Sequence, residues 1–300
     1  DFEYTWLFPN NGHFNFWLSN KVTYKYLLEP FSQFLPDYYF QIERGEILRL
    51  MDCPRSIPAT ADGIISLLHD KGALAAKPII GLGGEGFFKF SFFGGEYFLN
   101  DNPSAEVEII GLISNWRSAN IGYVITEYLK PHHEFARIWS RTPNSMRITV
   151  ARMPEEKAKI IWAFTRFGAQ STGVVDNTHA GGILNLVDIE SGFFTDGAKI
   201  VNKKLIDCKY HPDTGALVEG TVPHWNLIKD KLVEIAEHLP QLTFMGFDIA
   251  IVEKGFKIHE INSAPAIYAI QAYKPLYKDE NARKYFKFMV QDKMKRLRKS

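Results

Sequence analysis

Cysteine is scarce in this sequence. The 300 residues include only Cys53 and Cys208, which are far apart and belong to no C-x-x-C motif or Cys/His cluster. A disulfide framework or a cysteine-based zinc site needs several cysteines at suitable spacing, so both are excluded. We therefore expect a reducing, cytoplasmic setting.

Long apolar runs and an excess of charge of one sign are also missing. No run reaches about 18 apolar residues, and the opening DFEYTWLFPNNGHF lacks the basic start and apolar stretch of a signal peptide. The 35 basic and 34 acidic residues leave a net charge of +1, which gives no electrostatic case for nucleic acid as a partner. The chain does not begin with Met, which leaves open that it is a piece of something longer.

The composition is that of a folded protein with a large core. Apolar residues make up 46% of the chain and aromatic residues 14%, enough for one large lobe or two intimate lobes. The patterning predicts an α+β fold with an N-terminal segment over 1–40 that packs on the core, a small lobe over 41–126 and a large, mainly antiparallel lobe over 127–300.

Apolar periodicity and turn residues place the individual elements. Helices are predicted over 19–34, 62–70 and 223–239, from 102–103 onward, and from 280 onward. Strands are predicted over 38–50 as a pair, 73–80, 87–100 as a hairpin about Gly94-Gly95, 122–127, 146–153, 159–167 and 183–189.

The segment GFDIAIVEKGFKIHEIN, over 246–262, predicts a hairpin that carries two acids. A three-residue turn at 253–255 would place Gly255 where a left-handed residue is needed. Counting back from that turn, Asp248 faces Glu260, and Asn262 projects from the same sheet face. The same face is expected to hold Ala250, Val252, Phe256 and Ile258.

Opposed carboxylates on neighbouring strands repel each other, since their β-carbons are roughly 5 Å apart. A divalent cation bound through oxygen ligands would offset that repulsion, and Mg²⁺ typically combines one or two carboxylates with substrate phosphates. We therefore predict a metal site at Asp248, Glu260 and Asn262. The alternative is a solvated hairpin face with no metal.

A glycine-rich turn follows the strand predicted over 73–80. Residues 75–86 read AAKPIIGLGGEG, with glycines at Gly81, Gly83, Gly84 and Gly86. A strand follows the turn, which excludes the helix that a Rossmann motif requires. The backbone N–H groups of such a turn can fold over phosphates, and Lys77 adds a point charge nearby. The alternative is a plain glycine-rich connector.

These features occur in an order that resembles the ATP-grasp superfamily over almost the whole chain. The segments NSMRITVAR, GGILNLVDIESG, HPDTG and GFDIAIVEKGFKIHEIN are similar to its sugar-transfer-associated, or TupA-like, members, which serve surface polysaccharide synthesis. The resemblance implies two α+β lobes with antiparallel sheets that clamp a nucleotide. In DNTHAGG, Ala180 stands where related amino-acid ligases have Arg.

The resemblance also implies roles for individual residues. Lys21 and Lys77 would hold the ATP phosphates, and the Mg²⁺ ligands would be Asp248, Glu260 and Asn262. The adenine would meet the segment Glu127, Tyr128 and Leu129 through backbone groups, and Glu134 would accept from the ribose. Asn177, His179 and the Gly181-Gly182 backbone would hold phosphate or substrate carboxylate, although His179 is equally a loop histidine without a chemical role.

The activity implied is an ATP- and Mg²⁺-dependent carboxylate–amine ligase that works through an acyl phosphate. A uronic acid or an amino acid, free or linked to a sugar, is the expected acid. Arg147 is the candidate cation for the transferred charge, with a structural salt bridge as its alternative. A phosphotransferase without ligation and an inactive binding module are the other functions left open.

The basic residues near the end of the chain leave two interpretations open. Lys293, Lys295, Arg296, Arg298 and Lys299 follow one another closely in KMKRLRKS. Such a cluster contacts anionic lipid weakly, or it is a solvated helix end.

Overall fold

The computed structural model describes residues 11–81, 84–119, 121–202 and 204–298, except for the side chain of His179. These residues form two compact units. The smaller unit comprises Asn20–Leu129 and Gly173–Val175. The larger unit comprises the described parts of Asp1–Ser19, Lys130–Thr172 and Asp176–Ser300.

The helices of the described residues are mostly short. The α-helices are α1 Phe16–Ser19, α2 Lys21–Leu27, α3 Ala61–Lys71, α4 Glu106–Ser118, α5 His133–Ala136, α6 Trp225–His238, α7 Tyr268–Tyr273 and α8 Glu280–Leu297. The 3-10 helices are Gly12–Asn15, Glu29–Phe34, Gln170–Thr172, Thr178–Ala180 and Leu276–Lys278. Within the described residues, none of the helices combines the length and the apolar character that crossing a membrane requires.

A seven-stranded antiparallel sheet forms the smaller unit. Its strands lie in the order β2-β1-β7-β3-β4-β5-β6. Their bounds are β1 Tyr38–Glu43, β2 Glu46–Arg49, β3 Ala73–Pro78, β4 Phe88–Phe93, β5 Glu96–Leu99, β6 Asn102–Ser104 and β7 Tyr123–Glu127. The predicted hairpin turn at Gly94-Gly95 is confirmed, since both glycines have positive φ.

Helices α3 and α4 cover one face of this sheet. The shared core includes Leu68 of α3, Trp116 of α4 and the strand residues Leu74, Ala76 and Ile125. Because side chains alternate along a strand, the residues between these positions lie on the opposite face. Strand β3 therefore carries Lys77 on the face that the two helices do not cover.

The expected boundary at residue 41 moves to Asn20. Strand β1 pairs with β7, and the backbone N–H of Lys21 donates to the Ile79 carbonyl at 3.0 Å, which ties the segment after Asn20 to the smaller unit. The second half of the N-terminal segment expected over 1–40 thus belongs to the smaller unit.

Two predicted helices start or end differently in the structure. The helix expected over 19–34 splits, because the Asn20 side chain caps α2 and Leu28 leaves the helical region before the 3-10 helix. The helix expected from 102–103 begins at Glu106, because Ala105 donates its N–H to Glu108 Oε2 at 3.0 Å in place of a cap further upstream.

A second seven-stranded antiparallel sheet forms the larger unit. Its strands lie in the order β13-β12-β10-β9-β8-β15-β16, beside a two-stranded sheet of β11 and β14. The bounds are β8 Met146–Ala151, β9 Lys159–Phe167, β10 Ile183–Leu186, β11 Phe193–Phe194, β12 Ala198–Val201, β13 Lys204–Asp207, β14 Gly220–Thr221, β15 Phe244–Val252 and β16 Gly255–Asn262.

Helix α8 packs on this second sheet. Its Tyr285 and Phe286 rings contact the Phe244 ring, with centroid distances of 5.3 and 5.8 Å. Beyond Phe286 the helix has no fully buried side chain. Its last turns therefore expose their basic residues together with Met294 and Leu297.

Candidate functional site

The predicted opposition of the two acids is present in the larger unit. Strands β15 and β16 pair so that Asp248 faces Glu260 and Gly246 faces Asn262. Asp248 is almost fully buried at 2% exposure, whereas Glu260 and Asn262 are half-buried. Two carboxylates and one amide therefore meet on neighbouring strands.

The turn that produces this register is not the predicted one. Val252 pairs with Gly255, so the loop has two residues instead of three, and Ile249 pairs with Ile258. A bulge at His259 then restores the opposition of the acids, because one extra residue compensates for the shorter loop. Phe256 and Ile258 consequently belong with the Ile249 face, and the prediction that they share a face with Asp248 is wrong.

Arg147 lies beside Asp248 on the other side of β15. The two residues are directly opposed in the β8–β15 pairing. Arg147 Nε donates to Asp248 Oδ1, and Nη2 donates to Oδ2 at 2.8 Å. This is the two-point geometry that a guanidinium forms with a carboxylate. The structural salt bridge, which the sequence left as the alternative role of Arg147, is therefore present.

A second arginine, not singled out from the sequence, completes the environment of Asp248. Arg166 Nη2 lies 3.1 Å from Asp248 Oδ1. Its Nε and Nη2 also donate to Ser145 Oγ at 3.0 and 2.6 Å. Ser145 Oγ in turn donates to Asp176 Oδ1 at 3.0 Å, and the Ser145 N–H donates to Asp176 Oδ2. The result is a continuous polar chain that ends on Asp248.

These contacts set the ionisation of the pair. Burial alone would raise the pKa of Asp248, but the charges of Arg147 and Arg166 outweigh it and hold that pKa well below its usual range. Burial alone would likewise lower the pKa of Arg147, and the charge of Asp248 reverses this and raises it. Both groups are therefore charged at neutral pH.

Two arginines compensate the charge of Asp248, which the sequence analysis assigns to a metal ion alone. A shared metal ion was the only expected compensation for the closeness of Asp248 and Glu260. In the structure, Arg147 and Arg166 supply positive charge to Asp248 directly. The repulsion between the acids is thus no proof of a metal ion.

The donor set nevertheless fits Mg²⁺. Mg²⁺ takes hard oxygen ligands and completes its shell with water or phosphate oxygens. Glu260 and Asn262 are half-buried next to the buried Asp248, so oxygen donors meet at an accessible position. Asn262 Nδ2 lies 3.4 Å from Asp248 Oδ2, and a half-turn of that amide would present its oxygen instead. Asp248, Glu260 and Asn262 are thus the residues that would hold the ion.

The glycine-rich turn of the smaller unit is shaped by close contacts. Gly84 and Gly86 have φ of 75° and 71°, in the left-handed region. A β-carbon on Gly86 would lie 2.9 Å from both Pro78 Cγ and Tyr123 Oη. Tyr123 Oη also donates to the Gly86 carbonyl at 3.0 Å. Gly83 lies outside the described residues.

Lys21 and Lys77 occur in this same unit. The buried Lys21 Nζ donates to the Gly81 carbonyl at 3.0 Å, and this hydrogen bond fixes the start of the turn. Lys77 is half-buried on β3, opposite Val124 of β7. The hydrogen bond between Lys21 and Gly81 is not predicted from the sequence. Direct contact of either lysine with phosphate stays a prediction.

The segment expected at the adenine has mixed surroundings. The Glu127 N–H already donates to the Asp37 carbonyl at 2.9 Å, so this group is not available to a base in this conformation. Leu129 is buried, and the Tyr128 ring lies 4.6 Å from Lys89 Nζ. In the larger unit, Glu134 is half exposed and forms an ion pair with Arg137 at 3.1 Å.

The loop that carries Asn177 is tightly closed. The Asn177 carbonyl accepts the N–H groups of Ala180 and Gly182, each at 3.1 Å. A β-carbon on Gly182 would lie 2.9 Å from the Asp176 carbonyl oxygen, so the closure needs glycine there. The side chain of His179 lies outside the description, and its role stays a prediction.

A histidine cluster lies at the turn end of the acidic hairpin. The candidate ligand atoms of His132, His133 and Glu253 lie within 4.8 Å of one another. His132 Nδ1, however, accepts the Glu134 N–H at 3.1 Å, which leaves the proton of the neutral ring on Nε2. Nε2, which lies 3.7 Å from Glu253 Oε2, then carries the proton, so neither nitrogen of the neutral His132 ring offers a lone pair to a metal ion in this arrangement.

Comparison with known proteins gives a family and a fold. The model of the family described as sugar-transfer associated ATP-grasp matches residues 4–278. No curated protein sequence matches the chain significantly. A solved structure of D-alanyl-alanine synthetase A from Vibrio cholerae superposes with a TM-score of 0.54 at 13% identity, covering 92% of this chain and 64% of that one.

Two further structures match less well. A D-cycloserine synthetase matches with a TM-score of 0.45 at 9% identity, covering 92% of this chain and 70% of that one. An L-amino acid ligase from Bacillus licheniformis matches with a TM-score of 0.43 at 8% identity, covering 86% of this chain and 43% of that one. The chain thus spans less than two thirds of the length of the Vibrio enzyme and of the Bacillus enzyme.

Proposed function

The chain belongs to the sugar-transfer associated ATP-grasp family, and we propose that it is an ATP- and Mg²⁺-dependent ligase that joins a carboxylate to an amine. The observation that carries the proposal is the buried Asp248, held by two arginines and opposed by Glu260, with Asn262 beside it. Such an arrangement fixes oxygen ligands in advance, as a metal–nucleotide site requires.

The residues of each unit would contribute differently. Glu260, Asn262 and Asp248 would hold Mg²⁺ in the larger unit, and the bound metal–nucleotide would supply the phosphoryl group and neutralise its charge. In the smaller unit, the N–H groups of the glycine-rich turn and the Lys77 ammonium would bind phosphate oxygens. Lys21 would keep the turn in place through the Gly81 carbonyl.

Arg147 would act mainly by holding Asp248. Its Nε and Nη2 both donate to the Asp248 carboxylate. A guanidinium engaged in this way keeps the carboxylate in one orientation and balances its charge. We therefore assign it orientation of a metal ligand in place of the direct stabilisation of transferred charge that the sequence suggested.

The substrate acid is proposed from the family description alone. Because the family is associated with sugar transfer, a uronic acid or a sugar-linked amino acid for a surface polysaccharide is the class to test first. Contact between the basic end of α8 and an anionic membrane surface would suit a lipid-linked substrate.

Product analysis tests the activity. The protein is incubated with Mg-ATP, pooled uronic and amino acids and candidate amines, and the products are separated by mass spectrometry. An amide that appears only when acid, amine and ATP are all present supports the ligase. A phosphorylated acceptor formed without any amine would identify a phosphotransferase, and no ATP-dependent product would contradict both.

A further inference from the structure

The polar chain behind Asp248 is held at its far end by a second acid. Asp176 accepts from both the N–H and the hydroxyl of Ser145, and Ser145 Oγ accepts two N–H groups of Arg166. Ser145 is 1% exposed, so the serine end of these bonds is shielded from water. The hydroxyl proton points to Asp176, and the serine lone pairs point to Arg166. The Arg166 guanidinium is therefore held in place by Ser145.

The two oxygens of Asp248 are used unequally as a result. Oδ1 accepts from Arg147 Nε and forms an ion pair with Arg166, whose Nη2 lies 3.1 Å away. Two guanidinium groups therefore occupy the space around this oxygen. Oδ2 accepts from Arg147 Nη2 at 2.8 Å, and the Asn262 amide approaches it at 3.4 Å. Among the described residues, positive charge thus crowds Oδ1 more than Oδ2, which leaves Oδ2, next to Asn262, as the oxygen that a cation would reach.

We propose that Ser145 and Asp176 are positioning residues that make Asp248 a one-oxygen ligand and so set the preference of the site for Mg²⁺ over Ca²⁺. This inference rests on the proposed nucleotide–metal function. Mg²⁺ requires a small octahedral shell, to which a carboxylate gives one oxygen. Ca²⁺ takes six to eight oxygens and readily accepts both oxygens of one carboxylate.

Loss of the Ser145 hydroxyl should open the second oxygen. In Ser145→Ala, Arg166 loses both of its serine contacts and is free to swing away from Oδ1, since an arginine side chain has many rotamers. Asp248 then presents two oxygens to a cation, although Arg147 still holds it. The expected change is one of ion preference, with little change in affinity for the nucleotide alone.

Calorimetric titration with ADP measures that preference. Dissociation constants are determined without metal, with Mg²⁺ and with Ca²⁺, and the ratio of the Ca²⁺ value to the Mg²⁺ value is compared between variants. We expect the wild-type ratio to exceed that of Ser145→Ala by about tenfold, which corresponds to about 1.4 kcal/mol. Asp176→Ala should lower the ratio in the same direction, and Asp176→Asn, which keeps one acceptor oxygen, should lower it less.

A matched serine–aspartate pair provides the control. Ser191 Oγ donates to Asp188 Oδ1 at 2.6 Å in the same unit but has no link to Asp248, so Ser191→Ala should keep the wild-type ratio. An unchanged ratio in both Ser145→Ala and Asp176→Ala, or an equal loss of affinity with both cations, would overturn the inference and leave the proposed function standing. A wild-type protein that does not bind ADP with either cation would overturn the proposed function and this inference with it.

Discussion

Arg147 and Asp248 are opposed on β8 and β15 and form a two-point ion pair that is almost completely buried. The pair links the neighbouring strands β8 and β15 of the larger sheet at the position where β16 contributes Glu260 and Asn262. A single contact thus serves two purposes, since it stabilises the sheet and orients a proposed metal ligand.

Removal of either partner should therefore reduce stability. Arg147→Met leaves a buried carboxylate with less compensation, and Asp248→Asn leaves a buried guanidinium, so each should cost about 3–5 kcal/mol of unfolding free energy. The double variant should lose less than the sum of the two. Urea denaturation measures all three, and additive losses would show that the two residues do not interact.

The acid dependence of stability follows from the lowered pKa of Asp248. Because its folded pKa lies below the unfolded value of about 3.9, its charge stabilises the fold above that pH, and this contribution is lost as the pH falls below it. The difference in melting temperature between wild type and Asp248→Asn should be constant from pH 8 to pH 5 and shrink at lower pH. A difference that changes around neutral pH would contradict the assignment.

The glycine turn should not tolerate a side chain at Gly86. Its left-handed φ and the crowding by Pro78 and Tyr123 mean that Gly86→Ala costs about 1–3 kcal/mol and weakens ADP binding. Gly94→Ala is the matched control, because Gly94 also has positive φ but has no atom within 4 Å of the added carbon. Equal effects of both variants on ADP affinity would contradict a role of the glycine-rich turn in nucleotide binding.

The exposed basic end of α8 gives a test of membrane contact. We expect weak sedimentation with vesicles that contain phosphatidylserine and none with neutral vesicles, because each exposed lysine or arginine near such a surface adds about 1 kcal/mol. Lys295→Gln with Arg298→Gln should abolish it, and Arg55→Gln with Lys71→Gln in the smaller unit should not. Equal sedimentation with neutral vesicles would contradict an electrostatic contact.

The opposition of Asp248 and Glu260 could be predicted because side-chain alternation and turn position are local properties of the sequence. The predicted pair is correct although the predicted loop is one residue too long. The extra residue of the bulge at His259 compensates for that difference. A bulge adds one residue to one strand of a pair without a clear sequence signal. The sheet face predicted for Phe256 and Ile258 is therefore wrong.

The partners of Asp248 could not be predicted in the same way. Arg166, Ser145 and Asp176 come from separate segments, and only the packing of β8, β9 and β15 brings them to one place. Arg147 was recognised as a cation near the site, but its pairing depends on the order β8-β15 in the sheet. Sequence periodicity predicts which side chains of a strand share a sheet face, but it does not predict which strands lie next to each other in the sheet.

The most direct test of the account is the Mg²⁺ dependence of ADP binding in Glu260→Gln. Glu260 is half-buried, so its substitution should disturb the fold less than substitution of Asp248. We predict that Mg²⁺ strengthens ADP binding in the wild type and in Glu253→Gln, a control at the turn of the same hairpin, and no longer does so in Glu260→Gln, while metal-free affinity is unchanged. An unaltered Mg²⁺ dependence in Glu260→Gln would contradict the metal site and the function built on it.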